Sequence, residues 1–380
     1  MMAADRLKSY ASSDNARIRQ FARLLEPTDR NGLLEMASLA QRLTLQHFGR
    51  AMRLFAPIYL SNECINNCKY CGFSRDNPIL RVTLSPEEVE REARHLFDEG
   101  FRNVLLVAGE HPKFVSSGYL EEVIGRLRPF IPALSIEVGP METDEYRPLV
   151  HAGLEGLVVY QETYDREAYA MLHTAGPKRD FDWRLACPER GYAAGFRRIG
   201  IGALFGLSEW RGEAIALACH LDRLLRTCWK AHLTVSLPRL RPAAGGYQPR
   251  FPFTDADFIR TICAFRIAFP EVGIVLSTRE SAALREMVIP LGITMMSAGS
   301  HTEPGGYTGQ GRENLHRTVR GRPVEAPEAA GCQVATSQFD VADERPAAEI
   351  AALLKNKGYE PVWKDWDQAL GETIEERSVA

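Results

Sequence analysis

The 380-residue chain has no stretch approaching the roughly 18 consecutive apolar residues that a membrane-spanning helix needs. Its opening residues carry Asp5, Arg6 and Lys8 and no apolar core segment, so they do not read as a secretory leader. A basic excess is missing too: 46 Lys and Arg stand against 49 Asp and Glu, a formal net charge of −3 that gives no broad footprint for nucleic acid or anionic lipid. These absences predict a cytoplasmic protein acting on a small molecule, with no nucleic acid and no membrane among its partners. Cysteine is scarce, 8 in all, and Cys187, Cys219, Cys228, Cys263 and Cys332 lie far apart. Those five read as small buried apolar groups or bystanders in a reducing compartment rather than as disulfide partners.

The other three are crowded. Cys64, Cys68 and Cys71 stand in Tyr59-Leu-Ser-Asn-Glu-Cys-Ile-Asn-Asn-Cys-Lys-Tyr-Cys-Gly-Phe73, a C-x3-C-x2-C spacing. Cysteines scattered at random would produce it roughly 0.003 times in such a chain. What is missing here is a fourth ligand: His95 and His111 follow only after a predicted helix and strand. Structural zinc wants four protein ligands, whereas an iron–sulfur cubane held by three thiolates leaves one iron open to a reacting group. The spacing therefore favours a reactive cluster over a Cys3His zinc knuckle or a non-catalytic metal-binding scaffold.

Residues 14–54 read as helical, with Leu33, Leu34, Met36, Leu39, Leu43 and Phe48 forming an imperfect apolar stripe. From Phe55 onward short apolar runs alternate with amphipathic segments, the mark of repeated βα units. Strands are predicted at 56–60, 103–108, 134–138, 156–160, 198–202, 233–237, 273–277 and 294–297. A helix is predicted at Ser85–Glu99, where Ser85, Pro86 and Glu88 supply the cap, a first-turn proline and the capping-box acid. Eight such strands predict an α/β fold of the (β/α)8 TIM-barrel type. An open doubly-wound sheet would place a glycine-rich turn after the first strand, and cysteines stand there instead. The expected organisation is a helical N-terminal extension at 1–54, the barrel at 55–298, and an irregular C-terminal lid and tail at 299–380. In a barrel the reactive groups sit after the strand C-termini. The Cys triplet, Gly109-Glu110, Gln161-Glu162-Thr163-Tyr164, Arg239 with Arg241, Thr278-Arg279-Glu280 and Ser297 to Ser300 all fall there.

The cysteine spacing, with Tyr70 just before the last thiol, resembles the radical S-adenosylmethionine enzymes. Tyr160-Gln-Glu-Thr-Tyr164, Asp182-Trp-Arg-Leu185, Ile199-Gly-Ile-Gly-Ala-Leu204, Ser236-Leu-Pro-Arg-Leu-Arg-Pro242, Leu276-Ser-Thr-Arg-Glu280 and Trp363-Lys-Asp-Trp-Asp367 extend the likeness. Over roughly residues 30 to 370 the chain is similar to the 2-iminoacetate synthase family, the tyrosine lyases of thiamine biosynthesis. The resemblance implies that Cys64, Cys68 and Cys71 hold a 4Fe-4S cluster whose open iron chelates S-adenosyl-L-methionine. It implies a 5′-deoxyadenosyl radical, and cleavage of L-tyrosine between Cα and Cβ to 2-iminoacetate and p-cresol.

By the same resemblance Gly109 and Glu110 meet the methionine ammonium, Glu162 the cosubstrate's amine or ribose, and Arg184 the methionine carboxylate. Arg279 is expected to bind the tyrosine carboxylate, with Ser277 and Ser297 adding hydrogen bonds; the alternative for Arg279 is an internal ion pair with Glu280, and for Arg184 a surface position on a helix. Tyr164, His173, Arg239 and Arg241 take no assigned role. The implied partners are thiazole synthase and a flavodoxin or ferredoxin as electron donor. The alternative is a radical lyase for another aromatic amino acid, of the tryptophan-lyase or deazaflavin-cofactor synthase type. A relative that makes carbon monoxide and cyanide for hydrogenase maturation carries a second cysteine cluster in a C-terminal extension, so the isolated Cys332 speaks against that activity. Gln310 to Gly331 is longer than the family leads one to expect.

Overall fold

The computed structural model describes residues 15–324 and 334–363. Eight parallel strands close into a barrel: β1 (Ala51–Ser61), β3 (Asn103–Ala108), β4 (Ala133–Glu137), β5 (Gly156–Glu162), β6 (Arg198–Ala203), β7 (His232–Ser236), β8 (Gly273–Leu276) and β9 (Met295–Ser297). Closure is made by β9 on β1, with Arg53, Leu54 and Phe55 opposite Met295, Met296 and Ser297. All eight predicted strands are present, within a few residues of the expected bounds.

Two expectations give way. The helical reading of 14–54 resolves, within the described residues, into helices Ala16–Leu24 and Arg30–Phe48, and the chain turns to strand at Ala51 rather than near residue 55. Gly49, at φ 62°, stops the second helix, and Ala51-Met-Arg is claimed by a neighbour no local pattern can reveal. That neighbour is the short strand β12 (Glu360–Val362), which pairs with Ala51–Arg53 beneath the start of β3. Second, the segment after 299 is not structureless: β10 (His316–Val319) and β11 (Arg322–Val324) form a hairpin that pairs with β2 (Ile79–Arg81). Cys332 and residues 364–367 of the predicted aromatic tail lie outside the described residues.

The helix Pro86–Asp98 carries the predicted capping box, Ser85 and Glu88 each accepting from the other's backbone N–H. Helices pack their apolar faces around the barrel, and Leu54, Ile58, Leu106, Ile136 and Met296 from the strands are fully or almost fully buried. Cys187, Cys228 and Cys263 are buried free thiols, as expected of small apolar fillers. No helix among the described residues is long and apolar enough to cross a membrane.

Candidate active site at the barrel mouth

The C-terminal end of β1 delivers the cysteine loop, and its shape is fixed by buried polar groups. Arg81, fully buried on β2, donates to the carbonyls of Asn62, Phe73 and Ser74, so one guanidinium ties both ends of the loop together. Asn62 returns the contact by donating to the Leu80 carbonyl at 2.9 Å. After β3 the backbone N–H of Gly109 donates to Ser61 O at 2.9 Å, and a Cβ at Gly109 would stand 2.3 Å from Glu63 O; only glycine permits this approach. Glu110 accepts from Asn66 Nδ2 at 2.6 Å, while its carbonyl receives the Ile65 N–H. Gly109 and Glu110 therefore brace the cysteine loop directly.

Cys68 is buried, and Cys64 and Cys71 are half-buried. Burial pushes the Cys64 thiol up to about 11, with Cys71 adding to the shift. Burial raises Cys68 and Cys71 as well, partly opposed by Lys178. Three mutually interacting thiols held protonated by burial are what a thiolate-ligated cluster would convert, since a metal's charge deprotonates a coordinating thiol. Among the described residues no three His, Cys, Asp or Glu side chains gather tightly enough for a single ion; thiolates on three separate irons need not meet at one point. The donor set fits a 4Fe-4S cluster.

Tyr70 is buried and its hydroxyl lies 2.8 Å from His173 Nε2. His173 Nδ1 is 2.8 Å from the Tyr169 carbonyl, which can only accept, so Nδ1 bears the proton and Nε2 receives the Tyr70 hydroxyl. Burial, with Lys178 nearby, pushes His173 down to about 3, in keeping with a neutral ring.

Beside this loop, β5 ends in Glu162, held at φ 70° where the strand bulges. Its carboxylate accepts from Lys178 Nζ at 2.6 Å and faces Arg184 at 3.7 Å. Burial opposes ionisation, yet Lys178 and then Arg184 hold the Glu162 carboxyl below its usual range. Arg184 is buried and donates to Tyr160 O at 2.7 Å, so the surface alternative for it does not hold. Lys178 was not legible as a site residue: it lies in a connecting segment, and tertiary contacts hold it there, the Asn66 side chain accepting the Lys178 N–H at 2.9 Å and the Tyr169 hydroxyl donating to the Lys178 carbonyl at 2.6 Å.

A second set of groups faces a cavity inside the mouth, lined by Tyr59, Glu137, Tyr160, Ser236, Ser277, Arg279, Ser297, Ser300, Gln338 and Phe339 among others. The expected Arg279, Ser277 and Ser297 thus meet here. Glu280 does not pair with Arg279. It is held by Arg239, whose Nε donates at 2.9 Å. Arg279 instead lies 3.3 Å over the Phe339 ring centroid and has no carboxylate within ion-pair distance among the described residues. Burial pulls its pKa down, opposed by Tyr59 and Glu137. Ser297 Oγ accepts from the Thr278 N–H at 3.2 Å and Ser277 Oγ from the Arg279 N–H at 3.4 Å, so both hydroxyls also fix the loop that carries Arg279.

Sequence reasoning missed Glu137, the last residue of β4, whose carboxyl burial and the neighbouring Glu162 push up to about 7. Within the segment expected as a C-terminal lid, it did not single out Gln338 and Phe339, which line the cavity. There Gln338 accepts from the Tyr59 hydroxyl at 2.8 Å, its N–H reaches Thr302 O at 2.8 Å, and its carbonyl accepts from the Gly72 N–H at 3.1 Å. A position at the C-terminal end of a strand was a usable signal for Glu137; nothing in the sequence ties Gln338 to Tyr59.

Comparison with known proteins agrees with this architecture. Residues 58–218 match the family model of the Radical SAM superfamily, and residues 236–360 that of the Biotin and Thiamin Synthesis associated domain. The chain is 42% identical to 2-iminoacetate synthase of Escherichia coli (strain K12), over 92% of this chain and 87% of that protein. It is 40% identical to 2-iminoacetate synthase of Salmonella typhimurium, over 93% and 88% respectively. Among solved structures, the FeFe-hydrogenase maturase HydG from Carboxydothermus hydrogenoformans superposes with a TM-score of 0.81 at 33% identity, covering 96% of this chain and 80% of that one. With its three-thiol loop at the mouth of an eight-stranded barrel, the chain belongs to the 2-iminoacetate synthase family, radical S-adenosylmethionine lyases that use a 4Fe-4S cluster.

Proposed function

We propose that the chain cleaves the Cα–Cβ bond of L-tyrosine, giving 2-iminoacetate and p-cresol for thiazole formation in thiamine biosynthesis. The observation that carries the reading is Arg279: a half-buried guanidinium with no carboxylate within ion-pair distance among the described residues, facing a cavity beside the cysteine loop. A free amino acid brings the missing carboxylate, and a planar bidentate pair suits it. Phe339 supports the guanidinium from one face, and the Ser277 and Ser297 hydroxyls fix its loop. Tyr59 and Tyr160 give the cavity aromatic walls, which suits a phenol ring.

When bound, the cluster and S-adenosyl-L-methionine supply a 5′-deoxyadenosyl radical. Cys64, Cys68 and Cys71 would hold the cluster. Glu162, with Lys178 and Arg184 at its back, is the acceptor for the cosubstrate's amine or ribose, and Gly109 and Glu110 shape the neighbouring wall. Gln338 and Phe339 of the segment 334–343 cover one side of the cavity, which suits a reactive carbon radical that must be shielded from water. The chemistry needs a one-electron reductant, for which a flavodoxin or ferredoxin fits, and an unstable imine favours direct transfer to thiazole synthase in the cytoplasm.

Anaerobic reconstitution and a single turnover with L-tyrosine should give p-cresol and 5′-deoxyadenosine together. Formation of 5′-deoxyadenosine with another aromatic amino acid, and no p-cresol from tyrosine, would reject the substrate.

A further inference from the structure

The hairpin β10–β11 departs from the rest of this mildly acidic chain. The hairpin itself carries Arg317, Arg320 and Arg322 and no acid, and the turn before it adds Arg312 and Glu313. Arg320 and Arg322 are exposed and Arg317 half-exposed, and none of the three has an acidic partner among the described residues. Cations clustered on one exposed element create a local field that the net charge of −3 hides. Val319 and Val324 on the same hairpin are 37% and 41% exposed, an apolar complement to the charge.

The hairpin is paired in register and joined to the cysteine loop. Its tip is a two-residue turn in which Arg320 and Gly321 both have positive φ, 50° and 72°, the geometry that matches strand twist and holds a hairpin in register. Along β2, His316, Arg317 and Thr318 pair with Arg81, Leu80 and Ile79. The Thr318 hydroxyl accepts from Nε of Arg81, the residue whose remaining nitrogens tie down both ends of the cysteine loop. His316 Nε2 lies 2.7 Å from Glu63, the residue before Cys64. Gly321 packs on Arg75, where a Cβ would come 2.9 Å from Arg75 Cγ. A protein seated on this hairpin would stand against the backbone that carries the three thiols.

We propose that the β10–β11 hairpin is the docking surface for a small acidic protein carrying a one-electron redox group, the reductant of the cluster held by Cys64, Cys68 and Cys71. The proposal rests on the radical reading above, because only a chain with a reducible cluster needs such a partner. Opposite charge steers encounter and sets orientation, and the exposed valines supply the dry contact that closes it.

The test uses a reconstituted enzyme, a flavodoxin as the acidic carrier, and two triple variants. Arg317→Glu with Arg320→Glu and Arg322→Glu reverses the field; Arg317→Lys with Arg320→Lys and Arg322→Lys keeps it. By calorimetry at about 50 mM salt, where screening is weak, the reversed variant should bind oxidised flavodoxin at least about tenfold more weakly than wild type, and the lysine variant within about threefold. Bleaching of the cluster absorbance by flavodoxin hydroquinone should slow in proportion, while bleaching by dithionite stays at the wild-type rate. The proposal is overturned if the reversed variant binds flavodoxin as tightly as wild type, if wild-type binding ignores salt, if anionic vesicles bind the hairpin more tightly than flavodoxin, or if dithionite bleaching falls in step with flavodoxin bleaching. None of these readouts involves tyrosine, so a failed substrate assignment would leave them standing.

Discussion

The two halves of the barrel mouth differ in how their charges are balanced. Around the cysteine loop nearly every buried charge already has its counterpart: Glu162 with Lys178 and Arg184, Glu110 with Asn66, Arg81 with three carbonyls. Across the mouth, Arg279 rests on the Phe339 ring with no carboxylate in ion-pair distance among the described residues, and Glu137 faces the same cavity with its carboxyl raised toward neutrality. The first half is a finished frame that positions a cofactor. The second holds an uncompensated charge, which is costly in a buried setting unless a ligand completes it. The contrast separates what builds the site from what recognises the substrate.

The largest effect should come from the frame. Cys68→Ala removes one of three thiolates, so iron content after reconstitution should collapse and no 5′-deoxyadenosine should form; retained iron and cleavage would erase the distinction. Glu162→Gln leaves Lys178 and Arg184 facing each other without their anion, and breaking a buried pair in this way costs about 3–5 kcal/mol. Thermal unfolding should therefore shift clearly downward, even before activity is assayed.

Arg279→Ala should behave in the opposite sense. Removal of a half-buried cation that has no acidic partner among the described residues should leave unfolding little changed or improved, while tyrosine use falls about 10- to 100-fold, the worth of a charge-assisted hydrogen bond. S-Adenosylmethionine cleavage without tyrosine should survive. Equal losses of stability and tyrosine use in both variants would break the comparison.

The smallest effect is a pH dependence. The folded-state pKa of Glu137 is raised to about 7, so between the ordinary glutamate value near 4 and about 7 the folded chain binds more protons than the unfolded one. Its contribution to stability is thus present below about pH 4 and lost as pH rises through about 7. Glu137→Gln should flatten that part of the stability profile; an unchanged profile would remove Glu137 from the set of uncompensated groups.

Much of this was legible in the chain. Eight short apolar runs gave the barrel because strand periodicity is local, and the Cys64, Cys68 and Cys71 spacing gave the reactive loop because the ligands are neighbours in sequence. Arg279 could be placed at the mouth from its position just after a strand. The rest depends on closure. Lys178 meets Glu162 through a connecting segment, Phe339 reaches Arg279 from 60 residues away, and Ala51–Arg53 becomes strand because Glu360–Val362 lies beside it. None of these contacts leaves a periodic or local trace. The hairpin at 316–324 escaped for a related reason, since its Val-Arg-Gly-Arg turn is embedded in a segment rich in glycine, proline and charge.

The account stands on three thiolates and an open fourth position at the cluster. Electron paramagnetic resonance of the anaerobically reconstituted, reduced protein tests it most directly, with and without S-adenosylmethionine. The predicted result is about four irons per chain and a signal whose g values move when the cosubstrate is added. A zinc-loaded protein without iron, or a cluster signal that the cosubstrate leaves unaltered, would contradict it.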